Sequence, residues 1–230
     1  MFCILIFLSL LLQKFRIIII INISKEEGGI SMFIELEHFS KKINVKKGQM
    51  IYKTGDAINT VYFLKQGLVK LAEDGDDGHP VTIALLQDGE LFGFLDRLNN
   101  HLEHTQYSVA LKDSTLLAFP IEVLLKHIEN LPAVESAVFY SLVRQLAEAK
   151  QFVYIHSKMT VPERISWFLI KLANMENGIA TINIPLTHEE ISYMVGCSRQ
   201  KVTTYLNKWK KEGIIQYDRG FIQLVDIDKL

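Results

Sequence analysis

The spacing of hydrophobic positions changes period along this chain. From Ile43 to Phe119 they form short β-prone runs cut by glycine turns: VKKGQMIYKTGD, VYFLKQGLVKL, EDGDDGHPVTIALL and DGELFGFL. Turn signals at this interval predict an all-β barrel or sandwich. Gly48, Gly55, Gly67, Gly75, Gly78 and Gly89 fall where the chain must reverse. YSVALKDSTLLAFP adds a further antiparallel run, stopped by Pro120. From Pro132, a residue suited to a helix start, the period becomes helical. Phe139, Leu142, Leu146, Ala149 and Val153 make a coiled-coil stripe. Thr160 and Glu163 have capping-box spacing and open another helix, whose Ile165, Phe168, Leu169 and Leu172 anchor a separate core. The boundary is placed near Ser157. The expected division is a β-roll over 32–130, a long helix over 131–157 and a C-terminal domain over 158–230.

The most specific pattern is Leu186–Ile215, LTHEEISYMVGCSRQKVTTYLNKWKKEGII. Thr187 and Glu190 form a second capping box, Ile191, Met194 and Val195 share one side, and Gly196 ends the short helix. Ser198 caps the next helix, in which Val202, Leu206 and Trp209 make one buried stripe and Gly213 closes the element. This is a helix-turn-helix. The opposite face is left with Arg199, Gln200, Lys201, Thr203, Thr204, Asn207, Lys208, Lys210 and Lys211. Ile214-Ile215 and Phe221-Ile222 flank a turn at Tyr217–Gly220 and predict a hairpin wing, with Arg219 at its tip either reaching a phosphate or lying as a plain surface arginine.

Charge supports a nucleic-acid reading of that face. Between Gly196 and Gly213 five Lys or Arg residues stand against Glu212 alone, in a chain of net charge −1. Phosphate neutralisation needs such a local excess. Residues 71–103 instead hold eight acids against Arg97, so DNA affinity must be confined to the C-terminal end. Arg199 suits guanine and Gln200 suits adenine, each through paired hydrogen bonds. Thr187, His188 and Ser198, at helix N-termini, are expected on phosphates, with Lys201, Thr203, Thr204 and Lys208 nearby. A DNA-reading helix usually works as a symmetric pair, which favours a homodimer seam for the Phe139–Val153 stripe over packing on its own roll.

At 230 residues, 49% hydrophobic and 22% charged, the chain is globular and suits one or two domains. Cys3 and Cys197 are its two cysteines. They are too few for an iron–sulfur cluster and suggest no disulfide framework, which fits a cytoplasmic location. Residues 1–23 are apolar, but Gln13, Lys14 and Arg16 split them below the length of a membrane span, and the charge follows the run rather than preceding it as in a signal peptide. Runs of isoleucine and asparagine are what A/T-rich noncoding DNA yields when translated. Glu27-Gly28-Gly29 can be encoded with a ribosome-binding GGAGG core shortly before Met32. The native chain is therefore expected to begin at Met32, with residues 1–31 a non-native extension and a membrane segment as the alternative.

The order β-roll, long helix, winged helix-turn-helix resembles the Crp/Fnr family of bacterial transcription regulators from about Phe39 to the C-terminus. KKGQMIYKTGD…VYFLKQGLVKL…DGELFG and LTHEEISYMVGCSRQKV carry the resemblance. It implies an α+β protein with an antiparallel, cupin-like jelly roll that binds an effector. It also implies no catalysis, homodimers on near-palindromic promoter sites, and double-stranded DNA and RNA polymerase as partners.

Departures from the family pattern narrow this. Gly93, Phe94, Leu95, His104 and Thr105 align with the effector pocket. Phe94 stands where nucleotide-binding members carry a glutamate, and His104-Thr105 replace the phosphate-binding Arg-Ser pair. Cyclic AMP is therefore not expected, nor is an iron–sulfur cluster, and no cofactor is evident. The family glutamate at Gln200 and arginine at Thr204 are also replaced, so the operator should differ. His101 and His104 form an H-x-x-H pair, read as surface histidines rather than metal ligands. Cys197 is read as a small buried filler. No catalytic array or phosphate loop occurs. The competing function is a ligand-binding or membrane-tethered sensor that does not read DNA.

Overall fold

A computed structural model of the chain describes residues 37–230 apart from 76–79, 177, 185 and 219. Residues 1–31 and the wing-tip Arg219 thus lie outside the described residues. Eight described strands run between Lys41 and Pro120: β1 (Lys41–Val45), β2 (Met50–Tyr52), β3 (Thr60–Gln66), β4 (Val69–Asp74), β5 (Pro80–Leu86), β6 (Glu90–Phe92), β7 (Tyr107–Ala110) and β8 (Ser114–Pro120). They form two antiparallel sheets, ordered β1-β8-β3-β6 and β2-β7-β4-β5. The sheets close over Val45, Leu64, Leu71, Leu86, Phe92 and Leu116. Side chains alternate along a strand, so the first sheet turns a second apolar set outward, including Val61, Phe63, Leu91, Leu117 and Phe119. A one-sided roll would leave that face wet. Here it is covered by helix α2 (Ile121–His127) and the start of α3 (Pro132–Lys158), through Ile121, Leu124, Val134 and Val138.

Helix α3 then grips the edge strand β6. Ser141 Oγ and Gln145 Nε2 donate to the Leu91 carbonyl at 2.8 and 3.2 Å, and Arg144 meets the buried Glu90 carboxylate at 2.6 Å. The contacts satisfy polar groups that burial would otherwise strand. The remaining described helix of the roll, α1 (Leu95–Leu98), is one turn long.

The C-terminal domain consists of α4 (Val161–Leu172), β9 (Asn174–Glu176), β10 (Ile179–Ile182), α5 (His188–Val195), α6 (Arg199–Lys211), β11 (Ile215–Asp218) and β12 (Phe221–Leu224). Its sheet has the order β11-β12-β10-β9. Ile165, Phe168, Leu169 and Leu172 of α4 pack with Ile191, Met194, Val195, Val202, Leu206 and Trp209. Leu68, Leu85 and Leu111 of the roll belong to this same buried cluster. The two domains therefore share one continuous apolar core, with Lys47 and Glu190 3.9 Å apart beside it. Among the described residues, no helix is long and apolar enough to cross a membrane.

Several details differ from the sequence reading. The strand pattern omits α1, α2 and the β9–β10 hairpin, all short elements whose existence depends on tertiary contacts more than on local period. Leu142 is half-buried against the roll rather than on the open face of α3. Val143, one residue on, is exposed in its place. At 100° per residue both lie near the edge of the stripe, and the roll decides between them.

Gly67 shows how tightly the β3–β4 turn is fitted. Its φ is +145°, and a Cβ there would lie 2.0 Å from Ser114 Oγ and 2.9 Å from Ser114 Cα. Gly67→Ala is expected to destabilise the chain by about 1–3 kcal/mol, through strain and overpacking together. A urea midpoint equal to that of the native chain would contradict this packing.

Candidate nucleic-acid interface

The C-terminal helices begin at two caps. Thr187 Oγ1 accepts from Glu190 N at 3.1 Å while Glu190 Oε2 accepts from Thr187 N at 2.6 Å, so each satisfies a donor that the start of α5 leaves open. Gly196 ends α5 with φ +60°. Any Cβ there would also approach the His156 ring at 3.0 Å, so the end of α3 lies against the turn. Arg164 of α4 donates to the Gly196 carbonyl at 3.1 Å. Ser198 caps α6 by accepting from Lys201 N at 3.4 Å. Such caps contribute about 1 kcal/mol each.

Val202, Leu206 and Trp209 are buried, which turns Arg199, Gln200, Lys201, Thr204, Asn207 and Lys208 to solvent. The side chains of Arg199, Gln200 and Lys201 make no hydrogen bond or ion pair with a described residue. The other residues expected at DNA are more committed. The hydroxyls of Thr203 and Thr204 donate to the carbonyls of Arg199 and Gln200 at 3.0 and 2.9 Å. Lys208 lies 4.0 Å from Glu212. His188 has both ring nitrogens engaged, Nδ1 with Thr203 Oγ1 at 2.7 Å and Nε2 with Tyr217 Oη at 2.6 Å. Burial, then the Arg199 charge, hold its pKa below the usual histidine value. Sequence reasoning missed Arg164 and placed Tyr217 in the wing turn, whereas it lies in β11 with its hydroxyl on His188. Tyr217 is 29 residues from His188, and no local spacing announces a partner at that distance. Cys197 is half-buried, and burial pushes its thiol pKa up. This fits a filler better than a reactive thiol.

The positions aligned with an effector pocket separate in space. An open cleft of about 400 Å³ is lined by Thr54, Gly55, His101, Leu102, Glu103, His104 and Thr105. Thr105 is turned onto Asp96, its N and Oγ1 donating to the two carboxylate oxygens at 2.9 and 2.8 Å. His104 is buried and stacked on Tyr52 at 3.8 Å, with burial lowering its pKa although Asp96 lies 3.9 Å away. The H-x-x-H pair is thus split in character, with His101 on the surface and His104 inside. Behind that stack Tyr52, Tyr62 and Phe92 continue an aromatic series, with centroids 6.0 Å apart for the tyrosines and 5.3 Å for Tyr62 and Phe92. Gly93 has φ +81° and sits against both tyrosines. Phe94 does not face the cleft. It is fully buried in the cluster that joins the first sheet to α2 and α3, as an apolar ring in that place should be, and Leu95 packs at its margin. Among the described residues no group of three or more His, Cys, Asp or Glu is placed to hold a metal ion.

The outer face of α3 is strongly apolar. Phe139 is 60% exposed, Leu146 57% and Val153 70%, with Tyr140, Val143 and Tyr154 beside them and Ala149 also exposed. A stripe of this size on one helix is not the usual surface of a lone domain.

Comparison with known proteins agrees with both halves of this architecture. Residues 42–130 match the model of a cyclic nucleotide-binding domain, and residues 163–230 match a Crp-like helix-turn-helix domain. A cyclic AMP receptor protein of Thermus thermophilus is 29% identical over 83% of this chain and 86% of its own length. A global nitrogen regulator of Synechococcus elongatus is 26% identical over 84% of this chain and 90% of its own. Among solved structures, the c-di-GMP-responsive global regulator of Xanthomonas campestris superposes with a TM-score of 0.72 at 18% identity, over 86% of this chain and 98% of its own. A Crp/Fnr regulator of Thermus thermophilus gives 0.64 at 25% identity, over 82% and 95%. With a cyclic nucleotide-binding roll followed by a Crp-like helix-turn-helix, in the order its relatives share, this chain belongs to the Crp/Fnr family of transcription regulators.

Proposed function

We propose that the chain acts as a homodimer that reads near-palindromic promoter DNA in the cytoplasm without responding to cyclic AMP, regulating access of RNA polymerase. One observation carries the DNA reading: Arg199 and Gln200 stand exposed at the N-terminal end of α6, their side chains without a hydrogen bond or ion pair among the described residues, while its buried stripe fixes the direction in which they point. Arg199 reads a guanine and Gln200 an adenine, from adjacent places on the helix. Lys201 and Lys208 neutralise phosphates. Thr187 and Ser198 bring helix N-termini to the backbone, where amide groups favour an anion.

Dimerisation is supported by the exposed apolar face of α3. Phe139, Val143, Leu146 and Val153 alternate at coiled-coil intervals, and a second copy buries them symmetrically. Ala149 lies beside this seam, and Leu142 contributes from the roll side.

A cyclic nucleotide does not fit the roll. The position of the ribose-binding carboxylate is a core phenylalanine, Phe94. The phosphate-binding guanidinium is replaced by His104, whose neutral stacked ring offers no charge-assisted pair of donors. Thr105 is spent on Asp96. Tyr52 and Phe92 fill the roll core with the chain's own side chains, and the half-buried Tyr62 stacks on both. The relatives named for cyclic AMP and for c-di-GMP therefore do not supply an effector for this chain.

Arg199→Ala should weaken binding by about 1–3 kcal/mol and relax preference at one base pair, read by titration on a panel of single-base variants. Uniform weakening across the panel would make Arg199 a phosphate contact. Leu146→Asp should leave a folded monomer in sedimentation, and an intact dimer would contradict the α3 seam.

A further inference from the structure

His188 stands at the junction of three elements. It is the first residue of α5, yet its ring lies between Thr203 of α6 and Tyr217 of β11. Thr203 has one hydroxyl proton, and the Arg199 carbonyl at 3.0 Å takes it. The Thr203 oxygen therefore accepts from His188 Nδ1–H at 2.7 Å. In a neutral ring Nε2 is then bare, and it accepts from the Tyr217 hydroxyl at 2.6 Å. One tautomer, protonated at Nδ1, satisfies all three bonds at once. Lys210 fastens the same tyrosine again, donating to its carbonyl at 2.8 Å and lying 5.7 Å from its ring centroid. The wing strand is thus tied to the second turn of α6 through His188 and to the last turn through Lys210.

We propose that His188 is a positioning residue that fixes the base-reading end of α6 against the wing, and that it does not bind phosphate. The imidazole has no free nitrogen to offer an anion. Its partner Thr203 is hydrogen-bonded to the backbone of Arg199, so a slack His188 site moves the residue that reads the base. Bidentate base readout depends on fixed geometry, whereas a lysine on a phosphate tolerates displacement. This role rests on the DNA reading by Arg199 proposed above.

The test uses the full chain and the DNA site that it selects. The tautomer of His188 is read from its ring ¹⁵N shifts in the free protein, and Nδ1–H is expected; Nε2–H would overturn the network. His188→Ala and Tyr217→Phe should each lower discrimination at the Arg199 base pair by about tenfold, with the slope of log affinity against log salt unchanged. Because the two side chains act in one chain of bonds, the double variant should lose no more than His188→Ala alone. A phosphate contact would instead lower the salt slope by about 1 in His188→Ala and leave Tyr217→Phe native. That result, or additive losses in the double variant, sinks the proposal. Should His188→Ala fail to fold, Tyr217→Phe, which keeps the ring, and the tautomer decide. A native chain that selects no DNA refutes the proposed function instead. The two failures are told apart because the ring is read without DNA.

Discussion

Burial of Val202, Leu206 and Trp209 is the constraint on which the interface depends. A helix of 13 residues with four lysines and an arginine has no reason of its own to point any residue at DNA. Its single apolar stripe, packed against α4 and α5, removes the rotational freedom. Fully burying side chains of this size is worth about 1.5–3 kcal/mol each, far more than any surface charge pair on the outer face. The core therefore decides the orientation, and the charges exploit it.

The same economy of contacts links the domains. Leu68, Leu85 and Leu111 are roll residues within the core of the winged domain, and Glu190 both caps α5 and faces Lys47 of the roll. At the other end α3 holds β6 through Ser141, Arg144 and Gln145, then meets the helix-turn-helix through His156 against Gly196. A change in the roll thus has two physical routes to α6, one by direct packing and one along α3.

Much of this was legible in the residues. Capping boxes at Thr160 and Thr187, the glycine turn at Gly196 and the stripe through Trp209 are local signals, and local signals survive without a structure. The strand run to Phe119 and the long helix from Pro132 were read for the same reason. What escaped depends on the third dimension. Leu142 and Val143 are equivalent by period, and only the roll separates them. Phe94 could be aligned with an effector pocket, but its ring enters the core because α3 lies over it. A place at a helix start points His188 toward phosphate, while its ring bonds residues 15 and 29 positions away that no local spacing announces.

The central claim is that two copies of α6, set by symmetry and aimed by their buried stripes, read one DNA site. Selection of bound sequences from random duplex DNA by the purified native chain tests it most directly. The account predicts enrichment of a near-palindrome whose half-site centres lie about 10 base pairs, or a multiple of this, apart. A pool left as random as the input, or a single asymmetric half-site, would contradict it.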